Sequence, residues 1–385
     1  MASFFSYAGA VWWCLALALF CLSLCCGLVQ PLVQKRRATN AKLPPVSVIA
    51  PIKLLESGFE TAQESMFLQD YPDYEILISA AESQSPALDA ARRVAGGYPW
   101  RCCRILRSEA AAAVSPKLNN LTAPLAQARH DFVFIKDSNM TLERDTLAAF
   151  MQNFARGVGL VVAVPVAVRP ESFAGRIEAF LLNGHARLLL SASVLGIGFG
   201  VGKAMLFRRS DLARAGGIEA MSHMLAEDTA ISTGLARLGL RTVFAHRTVA
   251  QEIGARSLRE IYQRQARWSV IRRANERFSF PLEPLGSPLP AALAGALAAP
   301  LMGTPAWWGF CATLFGWFCA EMAFAILKGW EVSPWSPLAF LGREILSLSA
   351  WLHAWTTHDV VWGKGRFDAR KGAREAARAS REDAD

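Results

Sequence analysis

The stretch "DFVFIKDSNM", Asp131 to Met140, decides the fold. Four consecutive apolar residues of aromatic and β-branched type stand between charged ones, and Asp-Ser-Asn follows as a turn-forming string. The pattern predicts a strand buried on both faces that delivers Asp137 into a loop at its carboxyl end. "VSVIAP" (Val46 to Pro51), "YEILISA" (Tyr74 to Ala80) and "RILR" (Arg104 to Arg107) share this character. A helical Leu118 to Ala128 separates the last of these from the 131–136 run. Strand and helix in alternation predict an α/β domain with a mostly parallel sheet between Lys42 and roughly Phe280. Ligands of such sheets gather outside the carboxyl ends of the strands, where Glu82 and Asp137 stand.

Asp137 has two readings at this point. A metal bound to a diphosphate needs a hard oxygen ligand, and Mg²⁺ keeps most of its shell as phosphate and water, so one or two protein ligands suffice. An Asx-turn at a strand end explains the residue equally well. Glu227 and Asp228 in "HMLAEDTAISTGLARLGLR" (His223 to Arg241) are placed at the entrance of an amphipathic helix, where the macrodipole alone would favour acids. "RQARW" (Arg264 to Trp268) falls on a helix predicted to begin near Ser257. Arg264 and Arg267 share one face there with Trp268 adjacent, which suits a diphosphate but equally a basic helix lying on a membrane surface. "GIGFGVGKA" (Gly196 to Ala204) fails as a phosphate loop, because Ile197 stands where a glycine is needed and Ala204 where Ser or Thr should be. Its glycines predict instead a close approach of this backbone to a ligand or another segment.

The flanks are of another kind. At 52% hydrophobic and 19% charged residues the chain is too apolar for a purely soluble protein. Met1 to Gln34 carries no Asp, Glu, Lys or Arg, is long enough to span a bilayer, and runs straight into Lys35, Arg36 and Arg37. This predicts an uncleaved transmembrane anchor over 1–34 with its C-terminal flank in the cytoplasm. Leu285 to Ala320 is again free of charge, and Gly303-Thr304-Pro305 divides it into a predicted helical hairpin. Val332 to Val361 is apolar but contains Arg343, Glu344, His353, His358 and Asp359, so that it could span, re-enter or lie flat. Membrane helices are thus expected over 285–362, with a basic cytoplasmic tail over 363–385. The net charge of +9 suits an anionic leaflet or phosphorylated substrates alike. Eight cysteines show no CxxC or Cys/His spacing, which supports neither zinc nor a disulfide framework.

Taken in order and spacing, "VSVIAPIKLLESGFE", Glu82 with "SPALD", "SPKLNNL", "IKDSNM", "LAEDTAISTGLARLGLR" and "RQARW" resemble the ceramide glucosyltransferase family, membrane-bound inverting enzymes of the GT-A class. The resemblance covers about Pro45 to Arg273. Its signature is three acidic positions followed by Gln/Arg-x-x-Arg-Trp. "RQARW" matches at every defined position, "DSNM" supplies the second acid as Asp137 and "AED" the third as Asp228. The first acid is Glu82 where the family has Asp, and "DSN" is not the Asp-x-Asp of many related transferases, which leaves Asn139 as at best a weak helper to Asp137.

The resemblance implies a GT-A domain over 42–280, Rossmann-like and mostly parallel, on the cytoplasmic side. Asp228 is then the catalytic base with Glu227 tuning it, and Asp137 holds Mg²⁺ or Mn²⁺. Glu82 contacts the nucleoside, Lys53 and Lys117 lie near the nucleotide sugar, and Arg264, Arg267 and Trp268 shelter the departing UDP. The implied partners are a UDP-sugar donor, ceramide or another lipid acceptor, and the bilayer; no nucleic acid is expected. A hopanoid N-acetylglucosaminyl transferase shares this architecture. A processive polysaccharide synthase shares the Arg-x-x-Arg-Trp element but normally needs more spans. A membrane scaffold with a decayed transferase domain is the non-enzymatic reading, motivated by Glu82 and the incomplete Asp-x-Asp.

Overall fold

The structure, a computed structural model, describes residues 4–38, 42–109, 113–222, 224, 226–276, 278–362 and 365–369. The chain forms two compact units, one of Val29–Pro170 with Ala192–Gly254, the other of Met1–Leu28, Glu171–Ser191 and Ala255–Ala373. Most of the tail expected after Trp362 lies outside the described residues.

The first unit is built on an eight-stranded sheet. Helix α1 (Phe4–Arg37) enters it, and β1 (Val46–Pro51), α2 (Phe59–Phe67), β2 (Tyr74–Ala80), α3 (Pro86–Gly96), β3 (Cys103–Arg107), α4 (Pro116–Gln127) and β4 (Phe132–Lys136) follow in strict alternation. Helices α3 and α4 start where local chemistry permits. Ser85 and Ser115 accept the amides of Leu88 and Leu118, and Pro86 and Pro116 take the first helical position, where no amide hydrogen is needed. Every residue of β1 and β2 is buried, as expected of parallel strands covered on both faces. Then come β5 (Met140–Thr141), α5 (Thr146–Asn153), β6 (Val158–Pro170), α6 (Phe173–Val194), β7 (Ala204–Arg208), α7 (Arg209–Arg214), α8 (Glu227–Arg237) and β8 (Arg241–Gly254).

The strand order is β3-β2-β1-β4-β7-β6-β8-β5. Pairs among β1 to β4 are parallel, as is β6 with β8, so the α/β reading holds. The sheet is nevertheless mixed. β7 is inserted between β4 and β6 and runs antiparallel to both, and the short β5 is antiparallel to β8. The insertion has a functional consequence, because its register sets Ala204 opposite Lys136 and so lays Lys203 beside Asp137.

The second unit holds the first part of α1, most of α6, α9 (Leu258–Asn275), α10 (Pro288–Ala298), α11 (Ala306–Leu327), α12 (Ser336–Thr356) and a small hairpin of β9 (Asp359–Trp362) with β10 (Gly365–Asp368). α1 and α11 are long and apolar enough to cross a membrane. The first arm of the expected hairpin is shorter than its apolar stretch. Pro288 and Pro290 break it from the preceding turn, and the two pieces meet at 64°, the geometry of a broken span or a re-entrant loop. α12 keeps its charges by pairing them: Arg343 bonds Glu344 and Glu321, both at 2.8 Å, and all three are buried.

Candidate active site

The carboxyl ends of the neighbouring parallel strands carry Lys53 after β1, Glu82 after β2 and Asp137 after β4. Lys53 and Glu82 are exposed. Asp137 is different. Its amide donates to the Lys203 carbonyl at 2.9 Å, an extension of the β4–β7 ladder that fixes where its side chain begins. One carboxylate oxygen meets the Lys117 Nζ at 2.5 Å and the other the Lys203 Nζ at 3.1 Å.

Lys117 lies in the first turn of α4, immediately after the Ser115–Pro116 cap, so its position follows from the capping geometry. Its ammonium also donates to Glu227 Oε1 at 2.5 Å and to the Gly202 carbonyl at 2.7 Å. One half-buried ammonium therefore joins Asp137, from the end of a strand, to Glu227, from the start of α8. Burial opposes the charge on Lys117, but the two carboxylates outweigh it and push its pKa up. Burial would raise the Asp137 carboxyl, and the Lys117 and Lys203 ammoniums overcome that and hold it below the ordinary range. For Glu227 burial prevails: it raises the carboxyl, Lys117 offsets part of this, and Asp228 and Asp137 add to it.

Asp228 stands beside this cluster in a different condition. Its Oδ2 accepts the Gly202 amide at 2.7 Å and its Oδ1 the Thr229 amide at 2.8 Å, with no ammonium on it among the described residues. Two backbone donors thus orient a carboxylate at the N-terminus of α8, where the macrodipole favours it, and leave it lone pairs for a proton. The glycine-rich loop makes this possible. A β-carbon on Gly198 would sit 1.9 Å from the Thr242 carbonyl oxygen, one on Gly200 2.1 Å from that of Asp228, and one on Gly202 2.5 Å from Glu227 Oε1. At Gly200 and Gly202 the close approach predicted for this loop is to the acid pair itself.

The structure therefore brings together Lys117, Asp137, Glu227 and Asp228 from the residues singled out in the sequence. Lys203 joins them unpredicted, since its place depends on an antiparallel insertion. A second buried acid, Glu252 on β8, holds Arg169 Nε at 2.8 Å and also accepts the Thr141 hydroxyl, fastening the end of β6 to that of β8. In the other unit Arg264, Arg267 and Trp268 are half-buried on α9, which opens with a Ser257–Glu260 capping box. Arg264 donates to the buried Glu178 at 3.2 Å, and Arg256 holds the other oxygen of that carboxylate at 2.6 Å. Burial and the nearby Arg264 charge both lower the Arg267 pKa, as two guanidiniums on one helical face require.

A strand-end acid, a helix-start acid pair and a lysine that bridges them, carried by an α/β domain that a long apolar helix precedes, define a membrane-anchored enzyme of sugar transfer. The family model for glycosyl transferase family 21 matches residues 11–375, and the chain belongs to that family. Its mixed sheet with helices is a GT-A-type plan. Among curated relatives, ceramide glucosyltransferase 1 of Caenorhabditis elegans is 25% identical over 343 residues, covering 86% of this chain and 73% of that one. The ceramide glucosyltransferase of Komagataella phaffii is 29% identical over 191 residues, 43% of this chain and 38% of that one. Among solved structures, a mannosyltransferase from Pyrobaculum calidifontis in complex with GDP-Man and Mn²⁺ is similar at 18% identity and a TM-score of 0.49, covering 90% of this chain and 98% of that one.

Proposed function

We propose that this membrane enzyme moves a sugar from a UDP-sugar to a hydroxyl of ceramide, on the cytoplasmic face, by a single displacement with inversion. The observation that carries this reading is the division of labour between the adjacent acids. Glu227 is locked on the Lys117 ammonium at 2.5 Å, whereas Asp228 is oriented by backbone amides. Asp228 is the group free to take a proton. As the acceptor oxygen bonds to the anomeric carbon, its hydrogen passes to Asp228, the bond from that carbon to the diphosphate breaks, and UDP departs with the electron pair. Lys117 and Lys203 lie where they counter the charge that develops on the leaving group.

A divalent cation fits the residues present. Asp137 and Glu227 already hold a positive centre between their oxygens in the form of the Lys117 ammonium, and hard carboxylate oxygens are the donors Mg²⁺ and Mn²⁺ require. Among the described residues no three His, Cys, Asp or Glu converge on one point, so Asp137 would hold the metal together with the phosphates of the donor. When bound, the metal neutralises diphosphate charge. Glu82 would contact the nucleoside, with Lys53 near the nucleotide sugar.

Relatives named as ceramide glucosyltransferases favour ceramide over a hopanoid. The test is mass spectrometry of the lipids made by a host expressing the chain, followed by purified enzyme with a panel of UDP-sugars, with and without EDTA. Glycosylceramide formation that EDTA stops and Mn²⁺ or Mg²⁺ restores is expected. Glycosylated hopanoid would replace the acceptor, and the absence of UDP release with any lipid would leave a scaffold.

A further inference from the structure

A cavity of about 450 Å³ opens in the sheet-bearing unit, away from Lys117 and Asp137, where α1 ends. Gln34 and Arg37 of that helix line it together with Asn153, Ser193, Ile197 and Arg241. Among the described residues no carboxylate lines it. The lining Asn153 is bonded at 2.8 Å to the ring of His246. The cavity is thus a positive, roomy hollow at the basic end of a candidate membrane span. Such basic pockets beside spanning helices suit phosphate-bearing head groups.

The rim gives the second half of the match. Ile197, which lines the cavity, and the nearby Leu195 are exposed. The end of α1 is tied to the residues just before them. Gln34 Nε2 donates to the Ser193 carbonyl at 2.8 Å, and the Arg37 guanidinium donates to the Ser193 and Val194 carbonyls at 3.2 Å each. Cationic lining with an apolar lip is complementary to an anionic amphiphile, and a free anion would have no use for the lip.

We infer that this cavity binds the phosphate head group of an anionic membrane phospholipid, with its chains against Leu195 and Ile197. The bound lipid would also act on the site. Gly196 and Ile197 line the cavity and begin the loop whose Gly200 and Gly202 lie against Asp228, so that filling the cavity fixes the start of the segment that orients the base. Head-group binding at this cavity is independent of which sugar or acceptor the enzyme uses.

The experiment uses the full chain in nanodiscs of phosphatidylcholine with a minority of phosphatidylglycerol, and native mass spectrometry of the lipid retained on release. Wild type is expected to keep phosphatidylglycerol over phosphatidylcholine by roughly tenfold beyond the membrane ratio. Arg37→Gln/Arg241→Gln should lose that preference. Arg241→Gln alone, which leaves the Arg37 bonds in place, should lose most of it. Arg92→Gln, at an exposed arginine of α3 outside the cavity, should keep it. Undiminished preference in both cavity variants, or equal loss in Arg92→Gln, overturns the inference. Inorganic phosphate separates the two sources of the group. If it stabilises detergent-solubilised wild type but not Arg241→Gln, while phosphatidylglycerol shows no preference, the cavity takes a soluble anion and the lipid assignment fails.

Discussion

Lys117→Met tests the core of the site, because one ammonium is shared by two carboxylates that have little else. Methionine keeps much of the length of the side chain and removes the charge. Asp137 retains Lys203 at 3.1 Å, but Glu227, whose side chain is only 8% exposed, loses its ion-pair partner. Removing one partner of a buried pair costs about 3–5 kcal/mol, and since Lys117 itself is 16% exposed we take the lower figure, about 3 kcal/mol. For a domain of this size that lowers the melting temperature by roughly 6–12 °C. The loss must depend on pH, with a definite sign. Glu227 has a raised pKa in the folded enzyme, and without Lys117 it rises further, so the folded state binds this proton more tightly than the unfolded chain does. Such a group stabilises below its unfolded value, about 4.3, and that stability is lost as pH climbs through the folded value. The gap between variant and wild type should therefore be larger at an alkaline pH than at an acid one. Scanning fluorimetry of the detergent-solubilised proteins, without divalent cation or donor, measures it. An equal depression under both conditions, or none at the alkaline one, would refute the shared-ammonium account.

Asp228→Asn should fold and keep its melting temperature within a few degrees while transfer falls below about a tenth of wild type, since the amide cannot accept the proton; a radiolabelled transfer assay reads this directly. Gly200→Ala puts a methyl where the Asp228 carbonyl oxygen stands, 2.1 Å away, so the loop must move off the base; a loss in kcat of tenfold or more, roughly, with donor KM little changed is expected. Glu82→Gln should raise the donor KM by one to two orders of magnitude, roughly, with kcat preserved, because a hydrogen bond to a charged group contributes about 1.5–3 kcal/mol; Glu82→Asp should be tolerated. An unchanged KM in Glu82→Gln would return that exposed residue to the status of a solvated loop acid.

The half of the sheet that precedes Asp137 is legible because its strands read as apolar runs between turn residues, and most of them are buried on both faces. The later half is not, for particular reasons. β6 is apolar from Val158 to Val168, but Pro165 lies inside that run and reads as a break. The ladder to β8 does shift register just before it, between Val162 and Val164, so the strand absorbs the proline at an irregularity that local patterns do not announce. α6 carries Glu178 and Arg187 on buried positions, and only tertiary partners, Arg256 for one and Glu321 for the other, make such burial tolerable. Lys203 is invisible for the same class of reason. Nothing near it in sequence announces that β7 will turn antiparallel beside β4 and bring it to Asp137. By contrast Lys117 sits in a Ser-Pro cap, and Asp137 and the Glu227–Asp228 pair sit at the ends of elements with clear boundaries, which is why local patterns locate them.

Charge decides what else the site needs. Among the described residues the carboxylates of Asp137, Glu227 and Asp228 form ion pairs only with the Lys117 and Lys203 ammoniums, so with these five groups ionised the cluster carries one negative charge in excess. A raised Glu227 pKa moves the cluster toward neutrality but supplies no positive surplus. A nucleoside diphosphate brings further negative charge to a partly buried place, where repulsion is weakly screened. On the proposed reading, positive charge must therefore come from outside the cluster, and a divalent cation at Asp137 is its source. Loss of the cation should abolish binding and transfer together at low and high salt alike, since it acts within the cluster.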